Sequence, residues 1–411
     1  MIENKEVVER LILVGISGQS QESTSNSLDE LEELIHTANA QVVGRMIQSR
    51  ETVHPGTYLG SGKLQELRQM IDELDATGIV CDDELSPAQI RNMEDILDTK
   101  IMDRTLVILD IFASRATTHE GKIQVELAQL RYRATRLVGM RRSLSRLGGG
   151  IGTRGPGEKK LEVDRRLIHS RIGQLKAELK DVIMHREVTR RKRGKNQIPV
   201  VSLVGYTNAG KSTLFNYLTN AGVLEEDKLF ATLDPATRTI ELEDGQQVLL
   251  TDTVGFIHKL PHHLIEAFRS TLEEAKYADV ILHVVDASNP QCDLHMHVVY
   301  ETLAELGITD KPIITVFNKI DLLESQEILK DTRAEATIQI SAKTGKNIEE
   351  LLTCISKKLK ANQVFIERLF TYDKAGDIQL IRKFGQLISE EYTEDGIAVT
   401  AYVPLEIYGK L

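Results

Sequence analysis

Val200–Leu214 reads VVSLVGYTNAGKSTL, and it decides the fold. The apolar run Val200–Val204 predicts a buried strand that ends at Gly205. Gly205–Ser212 then fits G-x-x-x-x-G-K-[ST], and a helical pattern starts at Lys211 and runs to about Leu218. Strand, glycine-rich loop and helix in that order are the context a phosphate-binding loop needs. Gly205 and Gly210 let the backbone curl, so that the N–H groups of Tyr206, Thr207, Asn208 and Ala209 can turn toward phosphate oxygens. Lys211 is expected to reach the β- and γ-phosphates, Ser212 to ligate Mg²⁺, and Thr213 to lie beside them in the first helical turn.

Three later stretches say which nucleotide. Leu249–Gly255 (LLTDTVG) is a strand closing in D-x-x-G. Asp252 would hold the Mg²⁺ shell through water, with Thr253 and Val254 shaping the turn and the Gly255 N–H sensing the γ-phosphate. Ile313–Asp321 (IITVFNKID) supplies Asp321, whose carboxylate accepts from the ring N–H and exocyclic amine that guanine presents and adenine lacks. Asn318 would brace base and loop, and the Lys319 stem would pack along the ring. A buried pairing of this kind discriminates strongly, because the wrong base leaves polar groups unmatched. Ser341-Ala342-Lys343 follows the predicted strand Ala336–Ile340, and the Ala342 N–H is expected to meet the guanine oxygen. Between these motifs lies LFATLDPATR (Leu229–Arg238), a switch segment. Thr232, flanked by Phe230, Ala231 and Leu233, is the expected Mg²⁺-binding threonine, with Thr237 in reserve. Lys211, Thr232 and Gly255 are thus the expected catalytic set. Phe256 follows the D-x-x-G, where many GTPases carry a water-orienting glutamine, so slow, partner-stimulated turnover is expected. Asn208 either ligates a potassium ion beside the phosphates or only braces the loop.

The rest of the chain arranges itself around that domain. Residues 1–117 alternate strands (Arg10–Gly15, Ala40–Arg45, Gly78–Cys81) with helices (Leu28–Thr37, Leu64–Leu74, Pro87–Leu97), the pattern of a small parallel α/β domain. Gly60-Ser61-Gly62-Lys63 imitates part of a phosphate loop, but a turn and helix start is the preferred reading. Asp82-Asp83-Glu84 reads as a solvated strand end in preference to a metal site. Residues 118–194 predict two long basic helices in an antiparallel hairpin, with the tip Leu147–Gly157 holding six glycines. Residues 195–362 form the nucleotide domain. Residues 363–411 read as strand, helix, strand over Ile366–Thr371, Gln379–Glu390 and Ile397–Val403. The expected class is therefore α/β: a P-loop GTPase domain with a Ras-like doubly wound sheet, preceded by an α/β domain and a helical hairpin and followed by a small α/β domain.

Charge localises the expected partner. The chain carries a net charge of −10, yet Lys122–Lys195 holds 21 Lys and Arg against 7 Asp and Glu. A basic arm on an acidic protein points to one polyanion contact, and Arg154, Lys159 and Lys160 place it at the hairpin tip. RNA is the expected polyanion, and base stacking has little support because no aromatic is interleaved in the tip Leu147–Gly157. DNA is not expected. No apolar run reaches the ~20 residues that span a bilayer. Three scattered cysteines and a charged N-terminus fit a reducing cytoplasm.

With these residues in view, the chain resembles the HflX family of translation-factor-related GTPases. The likeness rests on GTYLGSGK (Gly56–Lys63), DDELSPAQIRN (Asp82–Asn92), DRTLVILDIFASRA (Asp103–Ala116) and EGKIQVELAQL (Glu120–Leu130). It continues through GGGIGTRGPGE (Gly148–Glu158), LFATLDPATR and DTVGFIHKLP (Asp252–Pro261). The resemblance implies GTP-dependent binding to the large ribosomal subunit, with the N-terminal region and hairpin on ribosomal RNA. It also implies dissociation of stalled or idle ribosomes, notably under heat stress. The free protein is expected to be a monomer. Assembly of the large subunit, or a GTP-gated module that binds a protein partner, remain alternative readings.

Overall fold

The computed structural model describes residues 8–18, 21–144, 156–194, 198–219, 229–260, 274–323, 328–361, 363–409 and 411. The chain divides into two compact units. One comprises Met1–Asp181 with the short segments Asp227–Leu233 and His258–Phe268, the other Val182–Glu226, Asp234–Ile257 and Arg269–Leu411.

In the first unit, β1 (Arg10–Ser17), α1 (Gln21–Thr37), β2 (Gln41–Ser49), α2 (Ser61–Leu74), β3 (Gly78–Cys81), α3 (Pro87–Leu97) and β4 (Lys100–Asp103) alternate. The sheet order is β2-β1-β3-β4 with every pair parallel. Leu11–Val14 and Gly78–Cys81 are buried throughout, as strands covered on both faces must be. Gly60 precedes the first residue of α2, so Gly60–Lys63 is a helix start. Ser86 caps α3 through a reciprocal box with Gln89, and Pro87 occupies its first turn.

The acidic strand end differs from expectation. Asp82 is buried, ion-paired with Arg104 at 3.0 Å and with Lys259, and accepts from the Ser27 hydroxyl at 2.7 Å. Burial alone would raise its pKa, but Arg104 and Lys259 together hold it below the usual carboxylate value. Arg104 opens α4 (Arg104–Arg115) at 1% exposure and also pairs with Glu30 at 2.7 Å. Breaking such a buried pair by removing one partner costs about 3–5 kcal/mol.

The hairpin follows as α5 (His119–Leu144) and α6 (Pro156–Gly194). Tyr132 and Arg136 on α5 each bond the buried Asp103 at 2.7 Å, which ties that helix to the end of β4. Cross-links His119–Glu178 and Glu126–Arg171 show the two helices to be antiparallel. The tip residues 145–155, Arg154 among them, lie outside the described residues, as do the side chains of Lys159 and Lys160.

The second unit contains β5 (Val200–Gly205), α7 (Lys211–Thr219), β6 (Ala236–Glu241), β7 (Gln247–Asp252), β8 (Val280–Asp286), α8 (Cys292–Glu305), β9 (Ile313–Asn318), β10 (Ala336–Gln339) and α9 (Ile348–Lys360). Its sheet runs β10-β9-β8-β5-β7-β6, parallel except for the antiparallel edge strand β6. Helix α9 shows why a helix docks there: Ile348, Leu351, Ile355 and Leu359 recur on one buried face. Burying each of these side chains is worth about 1.5–3 kcal/mol.

The C-terminal segment departs from the expected strand, helix, strand. It forms β11 (Gln363–Phe370), α10 (Ala375–Phe384), β12 (Gln386–Thr393), β13 (Gly396–Pro404) and the single turn α11 (Leu405–Tyr408). The strand order β11-β13-β12 is antiparallel. The helix expected over Gln379–Glu390 stops at Phe384, because Gly385 is extended and the next residues pair with β13. In β13 buried positions alternate with partly exposed ones, the mark of a sheet covered on one face.

Candidate functional site

The functional motifs of the second unit all sit at the carboxyl ends of its parallel strands, where open α/β sheets place their ligand crevice. Gly205 ends β5, Asp252 ends β7, Asp286 ends β8, Asn318 ends β9, and Ser341-Ala342 follow β10.

The loop after β5 is shaped by close packing. A Cβ on Gly205 would lie 2.2 Å from the Val284 carbonyl, and one on Gly210 would lie 2.2 Å from the Asn318 amide. Gly210 also takes φ +88°, which an L side chain rarely adopts. Asn208 has φ +60°, a left-handed conformation that asparagine tolerates better than most residues. Ala209 and Tyr206 are buried, and the Tyr206 ring stacks on His295 of α8 with centroids 3.7 Å apart. Thr207 is buried, and its N–H donates to the Phe256 carbonyl at 2.8 Å.

Lys211 opens α7, and its ammonium donates to the carbonyls of Tyr206 (2.7 Å) and Gly205 (3.1 Å). Burial pushes its pKa down to about 8, partly opposed by Asp252. Next to it the Ser212 hydroxyl donates to the Asp252 carboxylate at 2.9 Å, and Thr213 follows on the same turn. A hydroxyl and a buried carboxylate brought together in this way form a hard oxygen donor set that fits Mg²⁺. Among the described residues there is no group of three or more His, Cys, Asp or Glu that could hold a metal ion.

The D-x-x-G turn lies against the phosphate loop. Thr253 donates to the Leu203 carbonyl at 2.6 Å and Val254 is buried. A Cβ on Gly255 would come within 2.9 Å of Thr207 and 3.1 Å of the Lys211 ammonium, so only glycine allows this approach. Phe256 is 2% exposed, and its N–H donates to the Gly205 carbonyl at 3.1 Å.

On the far side of the loop, Asn318 joins two segments. Its amide donates to the Ala209 carbonyl at 3.0 Å and accepts from the Ala342 N–H at 2.9 Å. The Ala342 donor expected to meet a guanine oxygen is therefore engaged by Asn318 in this arrangement. Ser341 is buried and its hydroxyl accepts from the Thr344 N–H at 3.2 Å, while Lys343 is exposed. Lys319 takes φ +63° and leads into a short turn, Ile320–Leu322, on which Asp321 is exposed.

The switch segment is placed differently. Phe230, Ala231, Thr232 and Leu233 belong to the first unit and not to the one that holds the phosphate loop. Phe230 is buried at φ +55° and packs edge-on to Phe112 with centroids 4.7 Å apart; Thr232 and Leu233 are buried. The reserve residue Thr237 is a strand residue of β6, its hydroxyl 3.1 Å from that of Thr251.

Sequence reasoning passed over Asp286, whose carboxylate meets the Lys319 ammonium at 2.7 Å. Its signal is the position: like Asp252 and Asn318, it closes a predicted strand, Val280–Val285, apolar except for His283.

Three family models match in succession: "GTP-binding GTPase N-terminal" over residues 25–113, "GTP-binding GTPase Middle Region" over 115–193, and "50S ribosome-binding GTPase" over 200–319. A GTPase HflX of Lacrimispora saccharolytica is 67% identical over 411 residues, covering 100% of this chain and 97% of its own. The GTPase HflX of Escherichia coli is 42% identical over 412 residues, covering 99% and 96%. Among solved structures, a GTP-binding protein from Sulfolobus solfataricus in complex with GDP is 25% identical. It aligns over 85% of this chain and 98% of that one with a TM-score of 0.46.

Proposed function

The chain belongs to the HflX family of GTPases, and from that premise we propose that its GTP-bound form binds the large ribosomal subunit and dissociates stalled or idle ribosomes, notably under heat stress. The chemistry is hydrolysis of GTP to GDP and phosphate. The observation that carries the guanine reading is Asn318, bonded at once to the phosphate loop at Ala209 and to the Ser341-Ala342 segment at Ala342. In this reading Gly205–Thr213 cradles the phosphates, Lys211 leaves its loop carbonyls for the β- and γ-phosphates, and Gly255 senses the γ-phosphate. Ser212 and Asp252 would hold Mg²⁺, which would neutralise charge on the phosphate oxygens. Asp321 and Lys319 would read the base, with Ser341, Ala342 and Lys343 around it. A potassium ion at Asn208 would add to that neutralisation.

The ribosome reading draws its support from the match to the 50S ribosome-binding GTPase family and from the basic hairpin. Ribosomal RNA would meet the hairpin, residues 118–194, whose tip carries Arg154, Lys159 and Lys160. No helix among the described residues is long and apolar enough to cross a membrane. Sedimentation of intact ribosomes with the protein and a non-hydrolysable GTP analogue tests the proposal. Separated subunits are expected with the analogue and not with GDP. Co-sedimentation with intact ribosomes at every nucleotide state would exclude splitting. Reversing the charge at Arg154, Lys159 and Lys160 should flatten the salt dependence of binding while leaving GDP binding intact.

A further inference from the structure

We propose that Asp286 is a positioning residue for base recognition, holding the Lys319 stem in place before a guanine nucleotide arrives. The proposal rests on the reading above that the Lys319 stem packs along the base.

Asp286 is the last residue of β8, and its register partner on β9 is Asn318, the residue before Lys319. The Ala287 N–H donates to the Asn318 carbonyl at 2.9 Å, so backbone hydrogen bonding persists beyond the last strand residue of β8. The two oxygens of the Asp286 carboxylate are divided between two tasks. Oδ1 accepts from the Ser288 N–H at 3.0 Å and the Ser288 hydroxyl at 2.6 Å, which fixes the plane of the carboxylate. Oδ2 meets the Lys319 ammonium at 2.7 Å. The backbone of Lys319 is itself held at φ +63°, ψ +30° as the chain turns toward Asp321. With its backbone held just past the end of β9 and its ammonium held by the last residue of β8, the Lys319 side chain links the carboxyl ends of adjacent strands. That is the edge on which a ligand of such a sheet lies.

A lysine stem has many rotamers, and an unrestrained one must be ordered when the base binds. Ordering one such side chain costs roughly two- to tenfold in affinity. With the Asp286 clamp in place, most of that ordering is complete in the free protein. The pair is partly exposed, and exposed pairs contribute little to folding, so a stability role alone would leave nucleotide affinity untouched. The clamp also makes no distinction among purines, because it orders a stem that touches the ring face. Discrimination at the ring edge stays with Asp321.

The test is calorimetric titration of the full chain with GDP and with IDP, which lacks the exocyclic amine. Asp286→Asn keeps an oxygen for the Ser288 turn and replaces the anion; Asp286→Ala serves as the second variant. Each is expected to weaken GDP and IDP by the same factor, about two- to tenfold. In a Lys319→Ala background, Asp286→Asn should have no further effect. An Asp286→Asn protein that binds GDP within twofold of the parent overturns the proposal. So does an Asp286→Asn loss that persists in full without Lys319. A Lys319→Ala protein with unchanged GDP affinity would instead sink the base-pocket reading itself, and the proposal with it.

Discussion

Replacing Asn318 with alanine should cost the protein at two places that lie on either side of that residue. The side chain is buried, donating to the Ala209 carbonyl at 3.0 Å and accepting from the Ala342 N–H at 2.9 Å. Alanine removes both partners and supplies neither. Each buried group left unmatched costs about 1–3 kcal/mol, so the pair should cost about 2–6 kcal/mol before relaxation. Where the loss appears depends on the free protein. If both loops stay in position without nucleotide, the loss falls on folding stability. If they relax to find water, it falls on affinity, at tenfold per 1.4 kcal/mol. The two measurements together should recover the cost. Hydrogen exchange followed by mass spectrometry reads the Ala342 amide, whose exchange should quicken roughly five- to 150-fold for a loss of about 1–3 kcal/mol. GDP titration reads the remainder. Exchange across Ala336–Lys346 unchanged together with GDP affinity within twofold of the parent would refute the reasoning. Asn318→Asp sharpens the comparison, because it keeps the acceptor for Ala342 and sets a negative charge against the Ala209 carbonyl. It should be worse than alanine for GDP.

Three further outcomes are expected. Asp321→Asn should weaken GTP binding severely and shift preference toward xanthine nucleotide, whose extra ring oxygen accepts from the new amide; normal GTP binding would remove the guanine assignment. Lys211, at about 8 against an ordinary 10.5, binds fewer protons folded than unfolded between those values, so its contribution makes stability rise with pH across that window. A phosphate beside it reverses the shift, so GDP binding at pH 8.5 should take up protons and weaken as pH rises; calorimetry in two buffers of different ionisation heat checks this, and zero uptake counts against the contact. GTP hydrolysis should be faster in potassium than in sodium at equal ionic strength, and Asn208→Ser should abolish the difference without abolishing binding. Equal rates in the two salts would leave Asn208 as a loop brace, the role its φ of +60° already suits.

The legible features were those written in neighbouring residues. Val200–Val204 and Val280–Val285 are apolar but for one buried polar residue each, Ser202 and His283, because their strands are covered on both faces, and Ser86-Pro87 announces a helix through its own cap. What was illegible was settled by distant partners. Asp82 reads locally as one of three acids at a strand end. Its burial depends on Arg104, 22 residues on, and Lys259, 177 residues on. The helix expected over Gln379–Glu390 failed for the same reason. Only Gly385 interrupts the pattern, and strand β12 exists because β13 is there to pair with it. Lys319 was singled out as a base-packing stem, but its clamp lies on another strand, 33 positions earlier at Asp286.

Phe256 joins the two kinds of information. In sequence it is conspicuous as the residue that cannot orient a water. In the structure its backbone and its ring have separate uses. The backbone bridges to Tyr206, accepting from the Thr207 N–H and donating to the Gly205 carbonyl, so the D-x-x-G turn and the phosphate loop are laced together. The ring is 2% exposed, placed in the core and away from solvent. A glutamine there would have to bury an amide or turn out of the core, and an unmatched buried amide costs about 1–3 kcal/mol. Phenylalanine fills this buried position without a polar group to satisfy, next to Gly255, where a Cβ would crowd Thr207 and the Lys211 ammonium. If Gly255 senses the γ-phosphate as proposed, this turn would act as a stiff sensor and not as a carrier of a side chain that handles the attacking water. Phe256→Gln is therefore expected to loosen the turn without speeding hydrolysis, visible as faster amide exchange over Asp252–Ile257 with an unchanged or lower rate. A Phe256→Gln protein that hydrolyses GTP faster than the parent, with that exchange unaltered, would show that the core does not constrain this position.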